Sequence, residues 1–166
     1  MDEGGAPGIL QKEDASRAKE RIDLESFALD AQHMGPGGSA LTCLVVNNNR
    51  TLRAALMDML EAHGIQVVGA TGSGDRALGL VERLSPDVVI VDQRLGTTTG
   101  TKLSAAITAL HPDCQVILYT SEPTRATVEA ALAAGAREVI QKEASPANLL
   151  ECLSRIRRSR RDQGLA

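Results

Sequence analysis

From Leu41 onward the chain alternates between two periodicities, and that alternation limits its fold more than any other feature. Short apolar runs of strand length occur at Leu41–Val46, Ile65–Ala70, Val88–Asp92, Val116–Thr120 and Glu138–Gln141. Helical stripes lie between and after them: Leu52, Ala55, Leu56, Met59 and Leu60; Ala77, Leu80, Val81 and Leu84; Leu103, Ala106, Ile107 and Leu110; Val128, Ala131 and Leu132; Leu149, Cys152, Leu153 and Ile156. Gly64 and Gly135 fall at expected helix C-termini, and Ser145-Pro146 has the form of an N-cap followed by a first-turn proline. Five βα units with short connections imply parallel strands and right-handed crossovers. The expected fold class is α/β, an open doubly wound five-stranded parallel sheet.

Composition narrows the chemistry. Phe27 and Tyr119 are the only aromatic residues among 166, so a base-stacking nucleic-acid platform is hard to build and the core must be aliphatic. Cys43, Cys114 and Cys152 are dispersed and form no CxxC pair; they read as reduced thiols of a cytoplasmic protein. No stretch has eighteen uninterrupted apolar residues, so no membrane partner is expected. His33, His63 and His111 have no ligand spacing and read as surface residues.

Charge divides the chain. Residues 1–40 carry eight acids and four bases, whereas 41–166 carry thirteen and fourteen. The segment 1–40 is expected to be a flexible or disordered leader, ending in the Gly35-Pro36-Gly37-Gly38 hinge; within it 11–32 has the spacing of a helix, with Leu24, Phe27, Ala28 and Ala31 on one face. The domain proper is expected at 41–156. A basic tail at 157–166 continues an arginine run of Arg155, Arg157, Arg158, Arg160 and Arg161, read as the solvated end of the last helix.

Doubly wound sheets place their chemistry beyond the carboxyl ends of the strands. Those positions hold Asn47, Asn48 and Asn49 after the first strand, Asp92 after the third, Thr120 and Ser121 after the fourth and Lys142 after the fifth. A carboxylate that can attack phosphorus, a hydroxyl that can bond a phosphoryl oxygen and an ammonium that can neutralise it suit phosphoryl transfer. Gly72-Ser73-Gly74 lacks the spacing and the Lys-Ser/Thr ending of a phosphate loop and reads as a βα turn.

Over residues 41–155 the sequence resembles the receiver (flavodoxin-like) domains of bacterial two-component response regulators. The matching text is LVVNNNRTLRAAL, PDVVIVDQRLGTTTG, LYTS and AAGAREVIQKEASPANLL. The resemblance implies that Asp92 is the phosphoacceptor, with Thr120 and Lys142 as its catalytic partners, and that a histidine kinase or other signalling protein is the partner. It also implies a homodimer or partner surface on the fourth helix, fifth strand and fifth helix. In typical members two acids after the first strand hold Mg²⁺ together with the acceptor and a backbone carbonyl, here that of Arg94. This chain has Asn47 and Asn48 at those positions.

At about 4 Å and an effective dielectric near 20, one unit charge pair amounts to roughly 4 kcal/mol before desolvation. A net loss of roughly 3 kcal/mol weakens a metal on the order of a hundredfold. The Mg²⁺ site is therefore expected to be weak or absent. Val139 stands where typical receivers carry a switching aromatic, and Gly96 stands where proline is usual, which predicts a more mobile 96–100 loop.

The expectation is a stand-alone atypical receiver that works as a protein-interaction module and is not an enzyme beyond any autophosphotransfer to Asp92. The alternative is a true phosphorelay regulator phosphorylated on Asp92. Ranked last is a nucleic-acid-associated regulator acting through the arginine tail.

Overall fold

A computed structural model describes residues 40–164. The leader expected at 1–40 therefore lies outside the described residues except for Ala40. Chain order is β1 (Thr42–Val46), α1 (Arg50–Ala62), β2 (Gln66–Thr71), α2 (Gly74–Leu84), β3 (Val88–Asp92), α3 (Gly100–Leu110), β4 (Gln115–Thr120), α4 (Arg125–Ala133), β5 (Glu138–Gln141) and α5 (Pro146–Gly164). The strands form one sheet in the order β2-β1-β3-β4-β5, with every pairing parallel. This is the open doubly wound sheet expected, and the strand bounds agree to within a residue or two.

The central strands read as continuous apolar runs because both of their faces are covered. All five residues of β3 are buried, as are the last five of β4. Each of the first four helices begins with a side-chain cap: Asn49, Ser73, Thr99 and Thr124 each accept a hydrogen bond from the backbone N–H three residues on. Ser73 is thus the cap of α2, in agreement with its reading as part of a turn.

Two glycines shape the exit from β3. Gly96 has φ 78°, a left-handed conformation that proline, fixed near −65°, cannot adopt. Gly100 sits so close to β3 that a Cβ there would lie 2.5 Å from the Asp92 carbonyl oxygen and 2.5 Å from Leu118 Cδ1. Gly100→Ala should therefore lower the unfolding free energy by about 2–3 kcal/mol, read from urea denaturation midpoints. A change within the fitting error would show that α3 can slide away.

The loop between these glycines, expected to be mobile, is fastened at several points. Gly100 N–H donates to the Gln93 carbonyl at 2.9 Å, Gln93 Oε1 accepts from both the N–H and the hydroxyl of Thr101, and Arg94 bridges to Thr99.

The helix α5 belongs to a unit separate from the sheet and its first four helices, and is described by itself. Ser145 Oγ accepts from Ala147 N–H at 3.2 Å, and Pro146 opens the helix, where its missing N–H costs nothing. The helix runs to Gly164, so the segment 157–164 continues it.

All three cysteines are free and buried. Burial, reinforced by the neighbouring Cys114, pushes the Cys43 thiol well above its ordinary range. A raised value means less thiolate at any given pH and slower attack. An aromatic disulfide reagent should accordingly titrate no thiol rapidly in the native protein and three after unfolding. Rapid reaction of even one native thiol would contradict the packing.

Candidate functional site

Strand register explains why distant residues meet. Val46 pairs with Val91, so Asn47, the next residue, leaves β1 beside the end of β3 at Asp92. Asp92 pairs with Tyr119 and Thr120 pairs with Gln141, which brings Thr120 and then Lys142 to the same carboxyl edge. Asn47, Asp92 and Thr120 are 1%, 5% and 4% exposed, whereas Asn48 is exposed.

Lys142 Nζ lies 3.0 Å from Asp92 Oδ1, and both side chains are largely shielded from solvent. This ion pair is the centre of the site. The Arg94 backbone N–H donates to the same Oδ1 at a long 3.5 Å. Thr120 Oγ1 accepts from the Glu122 N–H at 3.3 Å, while Glu122 forms an exposed ion pair with Arg94 at 3.1 Å. The Lys142 backbone is held on both sides: its N–H donates to the Thr120 carbonyl at 2.9 Å, and its carbonyl accepts from the Tyr119 hydroxyl at 3.4 Å. Burial, and secondly the Glu143 carboxylate, raise the Tyr119 phenol above its usual range, so it remains a neutral donor.

The β1–α1 corner is organised by neutral groups and one guanidinium. Asn47 Oδ1 accepts from Asn49 N–H at 2.8 Å, and Asn49 Oδ1 in turn caps α1 through Leu52 N–H at 3.0 Å. Arg53, one turn into α1, reaches back so that its Nη1 donates to the Asn47 carbonyl at 2.6 Å. The same nitrogen lies 3.1 Å from the place where a Cβ on Gly72 would stand, so a side chain there would crowd the guanidinium by a few tenths of an ångström. No group of three or more His, Cys, Asp or Glu side chains able to hold a metal ion occurs among the described residues.

Of the residues singled out from sequence, Asp92 and Lys142 are in direct contact, and Asn47 and Thr120 share their strand edge. Asn49, also singled out as a strand-end residue, serves as the α1 cap; Arg53, Tyr119 and Glu122 were not foreseen as parts of the site. A signal for Arg53 existed: it follows Asn49 by four residues and so stands directly above the α1 cap. Val139 is half-buried and packs against Leu118, Ala131 and Ala136, a small aliphatic cluster that joins β4, α4 and β5.

Comparison with known proteins places this geometry in context. Residues 43–154 match the model of the response regulator receiver domain. The chain is 28% identical over 113 residues to Protein CcdB of Bacillus subtilis, and 26% identical over 113 residues to Chemotaxis protein CheY of Thermotoga maritima. Each match covers 68% of this chain and 94% of that protein. It is 31% identical over 116 residues to Response regulator GacA of Pseudomonas viridiflava, covering 66% of this chain and 52% of that protein. Among solved structures, a CheY-like receiver domain protein from Methanospirillum hungatei superposes with a TM-score of 0.70 at 23% identity, over 75% of this chain and 99% of that one. The BeF3-activated receiver domain of RstA from Klebsiella pneumoniae does so with a TM-score of 0.66 at 26% identity, over 70% and 98%.

Proposed function

Because the chain belongs to the response regulator receiver domain family, we propose that it is an atypical receiver: a cytoplasmic protein-interaction module of two-component signalling with weak or absent Mg²⁺-dependent phosphorylation. Receiver domains generally bind Mg²⁺ at their phosphorylation site and interact with histidine kinases and other signalling proteins. The residues present here do not fit that ion. A dication favours several anionic oxygens, and this corner offers one carboxylate, Asp92, which is already paired with Lys142 at 3.0 Å. The Asn47 side-chain oxygen is committed to an N–H donor, and a guanidinium lies on the Asn47 carbonyl.

The observation that carries the reading is this pairing of Asp92 with a protein cation beside two amides. An ammonium at 3.0 Å balances the carboxylate without a metal. In this reading Asp92, Thr120 and Lys142 hold three loops in one arrangement, and no bond-making step is assigned to them.

The surface of α4 supports an interaction role. Ala126, Ala130, Leu132 and Ala133 are exposed, and Leu132 leaves 48% of its surface in water. The two charges of α4, Arg125 and Glu129, face each other at 2.9 Å. A helix face with so little uncompensated charge is suited to a protein partner.

Incubation with acetyl phosphate and Mg²⁺, followed by intact-mass measurement in acid, tests the proposal. No stoichiometric adduct is expected. A full phosphoryl adduct that disappears in Asp92→Asn would establish the phosphorelay reading instead.

A further inference from the structure

The exits of β3 and β4 are tied to one another beyond the sheet. Arg94 lies two residues past Asp92 and Glu122 two residues past Thr120, on neighbouring strands. Arg94 Nη2 meets Glu122 Oε2 at 3.1 Å, with 79% and 72% of the two side chains in water. The same two residues reach inward through their backbones. The Arg94 N–H donates to Asp92 Oδ1 at 3.5 Å, and the Glu122 N–H donates to Thr120 Oγ1 at 3.3 Å. Both inward contacts are long, so each is weak by itself and gains from whatever holds the two loops still. Each residue of the bridge therefore has a charged end in water, joined to its counterpart, and a backbone end on a buried side chain of the site.

We propose that the Arg94–Glu122 ion pair is a strap that closes the β3 and β4 exits over Asp92 and Thr120, and that breaking it admits solvent and small molecules to both. The strap is independent of whether Asp92 receives a phosphoryl group. The two loops that it joins are otherwise anchored away from the gap. On the β3 side, Arg94 bridges to Thr99 and Leu95 is buried, which holds the loop towards α3. On the β4 side, the Glu122 carbonyl accepts from the Thr124 N–H at 2.9 Å, and Thr124 caps α4. Opening the bridge parts the loops without unwinding either helix.

Electrostatics sets the strength of the closure. An exposed ion pair adds little to global stability and is weakened by salt, so the strap opens at small cost and leaves the fold intact. The Asp92–Lys142 pair, shielded from solvent at 3.0 Å, is screened much less and keeps the site's centre in place while the strap moves.

Amide hydrogen exchange and broadening by a neutral nitroxide in solution, both read by NMR on the full chain, test this. Raising NaCl from about 0.05 M to about 0.5 M should speed exchange of the Arg94 and Glu122 amides about threefold, the size an exposed pair can supply. Glu122→Gln should show the faster rates at both salt concentrations, with stronger nitroxide broadening of the Thr120 methyl. Arg94→Glu/Glu122→Arg, which reverses the pair, should restore the slow rates, the salt dependence and the shielding. The Val91 and Leu118 amides should be unmoved throughout, which separates opening of the strap from loosening of the sheet. Parent rates that ignore salt would overturn the proposal, as would a Glu122→Gln variant with parental exchange and broadening. A reversed pair that exchanges as fast as Glu122→Gln would do so too, because closure would then depend on side-chain shape and not on opposite charge.

Discussion

Replacing Lys142 by methionine should lower the unfolding free energy by about 3 kcal/mol, the lower end of the range for stranding one member of a buried ion pair. Asp92 keeps only 7% of its side-chain surface, and among the described residues Lys142 supplies the positive charge paired with it, so removing the ammonium strands the carboxylate. The opposite deletion should cost less. Asp92→Asn leaves an ammonium that retains 14% exposure on a flexible stem, and a small displacement carries it into water. Combining Lys142→Met with Asp92→Leu removes both charges and should recover most of the loss, since a well-packed apolar pair can match a buried ionic one. Chemical denaturation of the three variants gives the coupling directly. If Lys142→Met is as stable as the parent to within about 0.5 kcal/mol, the pair contributes no more than a surface contact. The Arg94–Glu122 bridge supplies the internal control: at 79% and 72% exposure its removal should change stability by less than about 1 kcal/mol.

The same contrast explains what the sequence made legible. Five aliphatic runs separated by amphipathic stripes admit few topologies, and the rule that chemistry gathers beyond parallel strand ends picks out Asp92, Thr120 and Lys142 from residue order alone. Their convergence depends only on register, which the central strands, buried on both faces, specify strongly.

What stayed hidden depended on side-chain direction. Arg53 is an ordinary helical arginine by sequence, and only its rotamer turns Nη1 back onto the Asn47 carbonyl. Tyr119 reads as a buried strand residue, and its hydroxyl contact with the Lys142 carbonyl spans 23 residues. The 96–100 loop looked mobile because glycine and threonine suggested freedom. Its restraint comes from the Gln93 side chain, whose amide oxygen two groups of Thr101 share. Residue type fixed the chemistry available at each strand end, while rotamers decided which groups met.

Placing acids at the β1 exit, as Asn47→Asp/Asn48→Asp, should create a Mg²⁺ site there if the proposed reading holds. An acid at position 47 can still accept the Asn49 N–H with one oxygen, as Asn47 does at 2.8 Å, while its second oxygen becomes available to a cation. Position 48 is exposed and accommodates the change freely. Three carboxylates would then share one strand edge, and in the absence of metal their repulsion should lower the melting temperature below that of the parent. Added Mg²⁺ should reverse the sign. At a Mg²⁺ concentration about a hundred times its Kd, the metal stabilises the variant by about 2.7 kcal/mol, which for a domain of this size is roughly 5–10 °C. The parent should show no saturable shift, and adding Asp92→Asn to the double variant should abolish most of the gain, because Asp92 supplies the buried carboxylate at that edge. The ammonium of Lys142 sets the remaining barrier: the metal must draw Asp92 Oδ1 away from a partner 3.0 Å distant, so adding Lys142→Met should increase Mg²⁺ affinity further. Saturation of the parent protein at micromolar Mg²⁺ would show that amides and one paired carboxylate suffice, and would defeat the atypical reading outright.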